Sequence, residues 1–172
     1  MNDFGIASAL SQNLPVFTIP AYFFAAYTDF MRRIIKNEVS LYLIVLFCIY
    51  FAFGHPQASL YLHLTWSMVI FGCLFPLYKY KKLGAGDVKL IGVTVLWVGP
   101  FDGLGFLIMT AFFGGALALA ILSSPLRDGW EFAQARYSIF KNIPDFPNPH
   151  AIPYGIPISV AACLSIYKHV WV

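Results

Sequence analysis

The sequence from Leu83 to Leu90 reads LGAGDVKL, and it places one carboxylate, Asp87, between a glycine-containing bend and an apolar run. An ionisable side chain at the mouth of an apolar helix is a candidate functional group, because its removal from water must be compensated. Gly84 and Gly86 permit positive φ angles and the close approach of another chain. The structural alternative is that Asp87 only caps the helix that follows, since Asp is a preferred N-cap residue.

The composition is that of a membrane protein. The 172 residues are 59% hydrophobic, 18% aromatic and 11% charged, with a mean hydropathy of +0.71. A soluble globular chain carries about 25% charged residues. We therefore expect an integral membrane protein that is embedded in the lipid bilayer. The net charge of +3 is weak evidence for a nucleic-acid partner, and we expect none.

The apolar residues form separate runs, which predict an all-α, polytopic membrane helical bundle of about six transmembrane helices in a single domain, 1–172. The runs cover Leu14–Met31, Glu38–Phe53, Leu60–Leu77, Asp87–Val98, Phe106–Ser123 and Ile152–Tyr167. A span needs roughly 20 apolar residues, although about 17 can suffice. The second and fourth runs are short, and a re-entrant fourth segment is the alternative to a full span.

The basic residues predict the orientation. With six spans, alternate loops place every Lys and Arg except Lys168 on the same side of the membrane. Cytoplasmic loops are the ones that retain an excess of Lys and Arg. The chain is therefore expected to have both termini outside, with the helix ends that carry Asp29 and Asp87 facing the cytoplasm.

Asp29 ends the first run and Asp87 opens the fourth, so this topology puts both carboxyl groups at the same membrane depth. Two carboxylates held close together cannot both stay ionised, and the pair shares a proton. One member can then act as a base toward water while the other, protonated, polarises a peptide carbonyl. This is the chemistry of an aspartic protease, and it requires neither a metal ion nor a cofactor.

Potential metal ligands are scattered along the chain, and no C-x-x-C pair occurs. The cysteines are Cys48, Cys73 and Cys163, and the histidines are His55, His63, His150 and His169. The cysteines are interpreted as small apolar residues within helices. We expect no metal site and no cofactor.

Three blocks of the sequence resemble the type IV prepilin peptidases. Gly84–Asp87 matches the family's GxGD signature, and residues 87–90 continue it as DVKL. Asp29–Asn37, DFMRRIIKN, is similar to the family's first aspartate with its basic stretch and I-P-N. Pro153–Ile158, PYGIPI, is similar to the family's P-Y-G segment.

The resemblance implies a membrane-embedded aspartic endopeptidase of the bacterial inner membrane, with Asp29 and Asp87 as the catalytic pair. It also implies that four residues shape the site or bind substrate, namely Gly84, Gly86, Tyr154 and Gly155. Family substrates are prepilins and pseudopilins, which are cut after a glycine at the cytoplasmic face. The oligomeric state and the individual pilin are not predicted.

Larger members of that family carry a cytoplasmic, cysteine-bearing domain and also N-methylate the trimmed pilin. This sequence has no such domain and resembles the short form associated with tight-adherence (Flp-type) pili, which implies a peptidase without methyltransferase activity. Two residues depart from the family pattern: Lys36 occupies the place of the proline in I-P-N, and Pro157 stands where a small residue is usual.

Two other functions are alternatives. A proton- or cation-coupled transporter uses intramembrane aspartates as relay sites, but it predicts carboxylates near the bilayer midplane. A non-catalytic assembly factor would not require two intact aspartates.

Lys89, two positions after Asp87, lies on a different side of the helix and is interpreted as a cytoplasmic anchor. Gly114 and Gly115 are interpreted as small residues for helix packing.

Overall fold

The computed structural model describes residues 13–54, 57–123, 128–129, 132–133, 135–137 and 152–171. In this part of the chain the structure is all-α and contains no strand, as predicted. A short 3₁₀ helix, Leu14–Thr18, leads into α1. The α-helices are α1, Ile19–Arg32; α2, Asn37–Gly54; α3, Gln57–Lys79; α4, Ala85–Leu122; and α5, Gly155–Trp171.

Helix α1 ends just after Asp29. Pro20 lies in its first turn, where the missing N–H needs no partner. Arg33 caps the other end in the left-handed conformation, with φ 56° and ψ 31°, and its N–H donates to the Asp29 carbonyl at 2.9 Å. Asp29 therefore lies in the last turn of α1, directly before the connection to α2.

Helix α4 is broken at Gly99 into a first arm, residues 85–98, and a second arm, residues 100–122. Gly99 has φ 75° and ψ −172°, a conformation that side chains disfavour. Pro100 has no N–H, so it cannot bond to the Leu96 carbonyl as a continuous helix would require. His63 of α3 bonds to the Leu96 carbonyl instead, with Nδ1 2.7 Å from the oxygen, so this carbonyl has a hydrogen-bond partner despite the break.

The two arms run antiparallel. Val95 and Gly103 are eight positions apart, which is about 12 Å along a straight helix. In this structure, however, a Cβ built on Gly103 would lie only 3.7 Å from Val95 Cγ1. A Cβ on Gly114 would lie 3.1 Å from the Tyr154 ring, and Tyr154 lines the same cavity as Asp87. In a straight helix, Asp87 and Gly114 would be about 40 Å apart. The chain therefore reverses at Gly99.

The first arm of α4 is the centre of the bundle. Val88 and every residue from Leu90 to Gly99 are buried. The first arm receives a hydrogen bond from α3, Ser67 Oγ to the Gly92 carbonyl at 2.8 Å. It gives one to α2, Trp97 Nε1 to the Leu43 carbonyl at 3.0 Å. Helix α5 packs against both α1 and α4. The central arm thus fixes the position of Asp87 at its start.

The observed helices coincide with the predicted apolar runs, with one difference. The predicted connection between the fourth and fifth runs is replaced by a single non-helical residue, because Pro100 starts a new helix directly after Gly99. By length and composition, Leu60–Lys79 and Ala85–Leu122 suffice to cross a membrane, and Asn37–Phe53 and Gly155–Lys168 are shorter apolar helices. The chain is an integral membrane protein; the count of six spans stays a prediction.

Candidate active site

Asp29 of α1 and Asp87 of α4 line one cavity of about 450 Å³. The cavity lies where α1 ends and where α4 and α5 begin. Basic, aromatic and backbone groups complete its wall. The other lining residues are Arg33, Tyr78, Lys81, Lys82, Leu83, Gly84, Ala85, Ile152 and Tyr154.

The Asp29 carboxyl is held by the start of α5. Its side chain is buried, and Oδ2 accepts a hydrogen bond from the Gly155 backbone N–H at 2.7 Å. Gly155 is the first residue of α5, so its N–H belongs to the positive end of a helix. Helix N-termini stabilise negative charge through these free N–H groups. This contact therefore favours the carboxylate form of Asp29.

The contact between α5 and Asp29 requires a glycine. A Cβ on Gly155 would lie 2.7 Å from Asp29 Cβ and 2.9 Å from its Oδ2, closer than Cβ atoms approach other atoms in real structures. The departure at Pro157 is also explained here, since residue 157 lies in the first turn of α5, where a proline costs no hydrogen bond. Pro157 is thus compatible with the helix that presents Gly155.

The Asp87 carboxyl is held by its own helix. Gly84 is the N-cap of α4, and its N–H donates to Asp87 Oδ2 at 3.2 Å, which is one half of a capping box. Asp87 therefore caps the helix and lines the cavity at the same time. The structural and functional interpretations of this residue do not exclude each other.

Of the two freedoms that the signature glycines permit, the structure uses the close approach and not the positive φ. Gly84 is extended, with φ −70° and ψ 147°, and Gly86 lies in the first turn of α4 without a positive φ. A Cβ on Gly86 would lie 2.8 Å from Ile35 Cβ, in the connection between α1 and α2. Gly86 thus allows this connection to pack against α4.

Arg33 and Lys81 are cavity residues that the sequence pattern did not single out as part of the site. Their φ angles of 56° and 55° lie in the left-handed region. For a residue other than glycine this conformation costs about 1 kcal/mol, and such strain concentrates at functional sites. Arg33 follows Asp29 by four positions, which is the spacing of neighbours on one side of a helix. This spacing is the feature of the sequence that could have predicted Arg33 beside Asp29.

The two carboxyl groups have unequal surroundings. Both line the same cavity, where two ionised carboxylates would repel each other. Asp29 is also attracted by Arg33 and has the short bond from Gly155, whereas Asp87 accepts the longer bond from Gly84. Two carboxyl groups with different surroundings can divide the roles of base and acid between them.

The other residues that the sequence singled out lie away from this cavity. Lys89 is exposed, and its Nζ donates to Asn37 Oδ1 at 3.0 Å, which agrees with an anchoring role. Lys36 Nζ lies 5.7 Å from the centre of the Phe24 ring, a cation–π distance. The three cysteines lie on α2, α3 and α5.

Within the described ranges, no three His, Cys, Asp or Glu residues are grouped as a metal would require. His63 bonds to the Leu96 carbonyl at the break in α4. His55 and His150, and the side chain of His169, lie outside the described residues.

A comparison with protein families matches residues 16–119 to the type IV leader peptidase family. The match covers more than half of the chain and includes Asp29, the GxGD segment and Asp87. Comparisons with curated proteins and with solved structures gave no significant match. The family resemblance is confirmed, with the blocks around Asp29 and Asp87 inside the matched range: the chain belongs to the type IV leader peptidase family.

Proposed function

We propose that this protein is an aspartic endopeptidase that removes the leader peptide of type IV prepilins or pseudopilins, with Asp29 and Asp87 as its catalytic pair. One observation carries the proposal: two carboxyl groups from separate helices line a single cavity in a member of the leader peptidase family. Tyr154 lines that cavity next to the start of α5, and Gly155 donates its N–H to Asp29. Gly84 caps α4, and Gly86 leaves room for Ile35 beside it.

The unequal surroundings of the two carboxyl groups support a division of roles. Asp29, with the N–H of Gly155 and the charge of Arg33 beside it, is the carboxylate that takes a proton from water. Asp87 carries the shared proton and donates it to the oxygen of the scissile carbonyl. The water oxygen attacks the carbonyl carbon to give a gem-diol. The C–N bond then breaks as the leaving amine receives the proton that Asp29 accepted, and one hydroxyl of the gem-diol returns its proton to Asp87.

The position of the cavity supports cleavage at the cytoplasmic face. Basic residues surround this end of the bundle, namely Arg32, Arg33, Lys79, Lys81 and Lys82. Such clusters are retained on the cytoplasmic side of bacterial membranes. The proposed topology is therefore multi-pass, with both termini outside, in the inner membrane. Carboxylates at helix ends beside these cations favour a peptidase over a transporter with midplane relay sites.

The proposed substrate is a Flp-type prepilin, and the proposed enzyme has one domain over residues 1–172. Its cysteines lie on three different helices, which gives no support to a paired-cysteine domain or to methyltransferase activity. The chemistry assigned to the two carboxyl groups uses no metal ion and no cofactor. Cleavage should therefore continue in EDTA at the untreated rate, and a loss that zinc restores would contradict this mechanism.

The test is co-expression with a Flp-type prepilin, with cleavage read as a mobility shift on a gel. Asp29→Ala and Asp87→Ala should each abolish cleavage while the protein still accumulates in the membrane, because one carboxyl group cannot act as both base and acid. Asp102→Ala is the matched control, since Asp102 pairs with Lys168 at 3.0 Å and does not line the cavity.

Near-normal cleavage by either Asp29→Ala or Asp87→Ala would disprove the assignment of these residues as the catalytic pair. If the wild-type protein left prepilin intact and the two variants instead changed proton uptake by vesicles, the transporter alternative would replace the peptidase.

A further inference from the structure

A buried hydrogen bond links the two helices that carry the aspartates. Tyr22 Oη of α1 lies 3.0 Å from Thr94 Oγ1 of α4, and neither residue is exposed. Thr94 Oγ1 also lies 2.7 Å from the Leu90 carbonyl oxygen, which can only accept. The single hydroxyl proton of Thr94 is therefore directed to Leu90, and Tyr22 donates to Thr94.

The two residues of this bond lie on the same helix faces as the two aspartates, about two turns away from them. Tyr22 precedes Asp29 by seven positions, and Thr94 follows Asp87 by seven positions. Seven residues make about two helical turns, so each pair lies on one face of its helix and is separated by about 10 Å along the axis. The opposite sequence directions show that α1 and the first arm of α4 are antiparallel.

Direct packing between α1 and α4 contributes little to this alignment. The backbone of α1 packs chiefly against α5 and α2, and that of α4 packs against α3, α5 and α2. In the described part of the chain, α1 and α4 have no extensive backbone packing with each other. The long Tyr22 side chain crosses the space between them.

We propose that Tyr22 and Thr94 are positioning residues that set the axial register of Asp29 against Asp87; this inference rests on the proposed function. A slide of α1 by one residue is about 1.5 Å, which breaks a hydrogen bond of this length. Away from water, the hydroxyl groups would then have no replacement partner. The bond therefore selects one register, and catalytic groups tolerate displacements of this size poorly.

The experiment measures kcat and KM for prepilin cleavage by the full chain purified in detergent. Tyr22→Phe and Thr94→Val should each lower kcat about 10-fold, because the carboxyl pair loses alignment, with KM changed less than about 2-fold. The double variant should lose no more than either single variant, since all three remove the same bond. Thr94→Ser keeps the hydroxyl group and should restore kcat.

Thr110→Val is the matched control. Thr110 is buried and makes the same bond within its helix, Oγ1 to the Phe106 carbonyl at 2.9 Å, in the second arm of α4. Thr110→Val removes only this bond within one helix, so it should lower the Tm in detergent while leaving kcat within about 2-fold of wild type.

Two outcomes would overturn the inference. One is wild-type kcat in Tyr22→Phe, a variant that keeps the ring and tests the bond even if Thr94→Val fails to fold. The other is an equal loss of kcat in Thr110→Val. Either result, with Asp29→Ala and Asp87→Ala still inactive, would leave the proposed function standing. Cleavage by those aspartate variants would instead remove the proposed function itself.

Discussion

The two aspartates are held in different ways. Asp87 accepts its hydrogen bond from Gly84, three positions earlier on the same helix, whereas Asp29 accepts from Gly155, 126 positions further along the chain. The first contact belongs to a helix N-terminus and forms whenever α4 starts at that residue. The second exists only after α5 has packed against α1. The chemistry proposed for the pair therefore depends on one local contact and one tertiary contact.

This difference predicts which neighbours matter most. Changes at the tertiary contact must move a helix, whereas changes at the local contact can be absorbed by rotation of one side chain.

Gly155→Ala should cause the largest loss, about 100-fold in kcat/KM, because the new Cβ would meet Asp29 Cβ and Cγ at 3.0 Å or less and force α5 away from the carboxyl group. The measurement is cleavage per folded molecule, with folding followed by thermal unfolding in detergent. Gly105→Ala is the control, since its Cβ would meet no atom within 4 Å. Unchanged cleavage by Gly155→Ala would show that the α5 contact does not position Asp29.

Gly114→Val should lower kcat/KM about 10-fold by displacing Tyr154 from the cavity wall. The Cβ at this position would lie 3.1 Å from Tyr154 Cε1, so a branched side chain must push the ring. Gly115→Val is a control one position away on the same helix, where nothing lies within 4 Å. Equal losses in both variants would mean that bulk in the second arm, not the position of Tyr154, limits activity.

Gly84→Ala should have the smallest effect, about 3-fold in kcat/KM, because its Cβ meets only the end of the Asp87 side chain, Oδ2 at 2.8 Å. Lys89→Gln, on the same helix but bonded to Asn37, should leave cleavage unchanged. A loss in Gly84→Ala larger than that in Gly155→Ala would reverse the comparison and make the local contact the critical one.

Much of the fold could be predicted from the sequence. Separate apolar runs predicted an all-α membrane bundle, and the helices lie close to those runs. Asp29 ends the first run and Asp87 opens the fourth, which predicted two carboxyl groups at the same end of the bundle, and both line one cavity. These features depend on local hydrophobicity and on residue types at fixed spacing, which are present in the chain before it folds.

The function of the glycines could not be predicted in the same way. A glycine shows that a Cβ is missing, but not whether the backbone needs a positive φ or a neighbour needs the space. Gly84 and Gly86 permit a positive φ, yet among the described glycines it occurs at Gly99, where the two arms of α4 meet. Gly86 instead gives room to Ile35, a residue from the connection before α2.

The sequence by itself determined the helices, the end of the bundle where the carboxyl groups lie, and the cap that holds Asp87. Only the tertiary structure decided that Gly155 bonds to Asp29 and that Tyr22 meets Thr94. The physical reason is the range of the interactions. Helix formation and capping act over about four residues, whereas these two contacts depend on how helices distant in sequence pack, and that packing is set by all their side chains together.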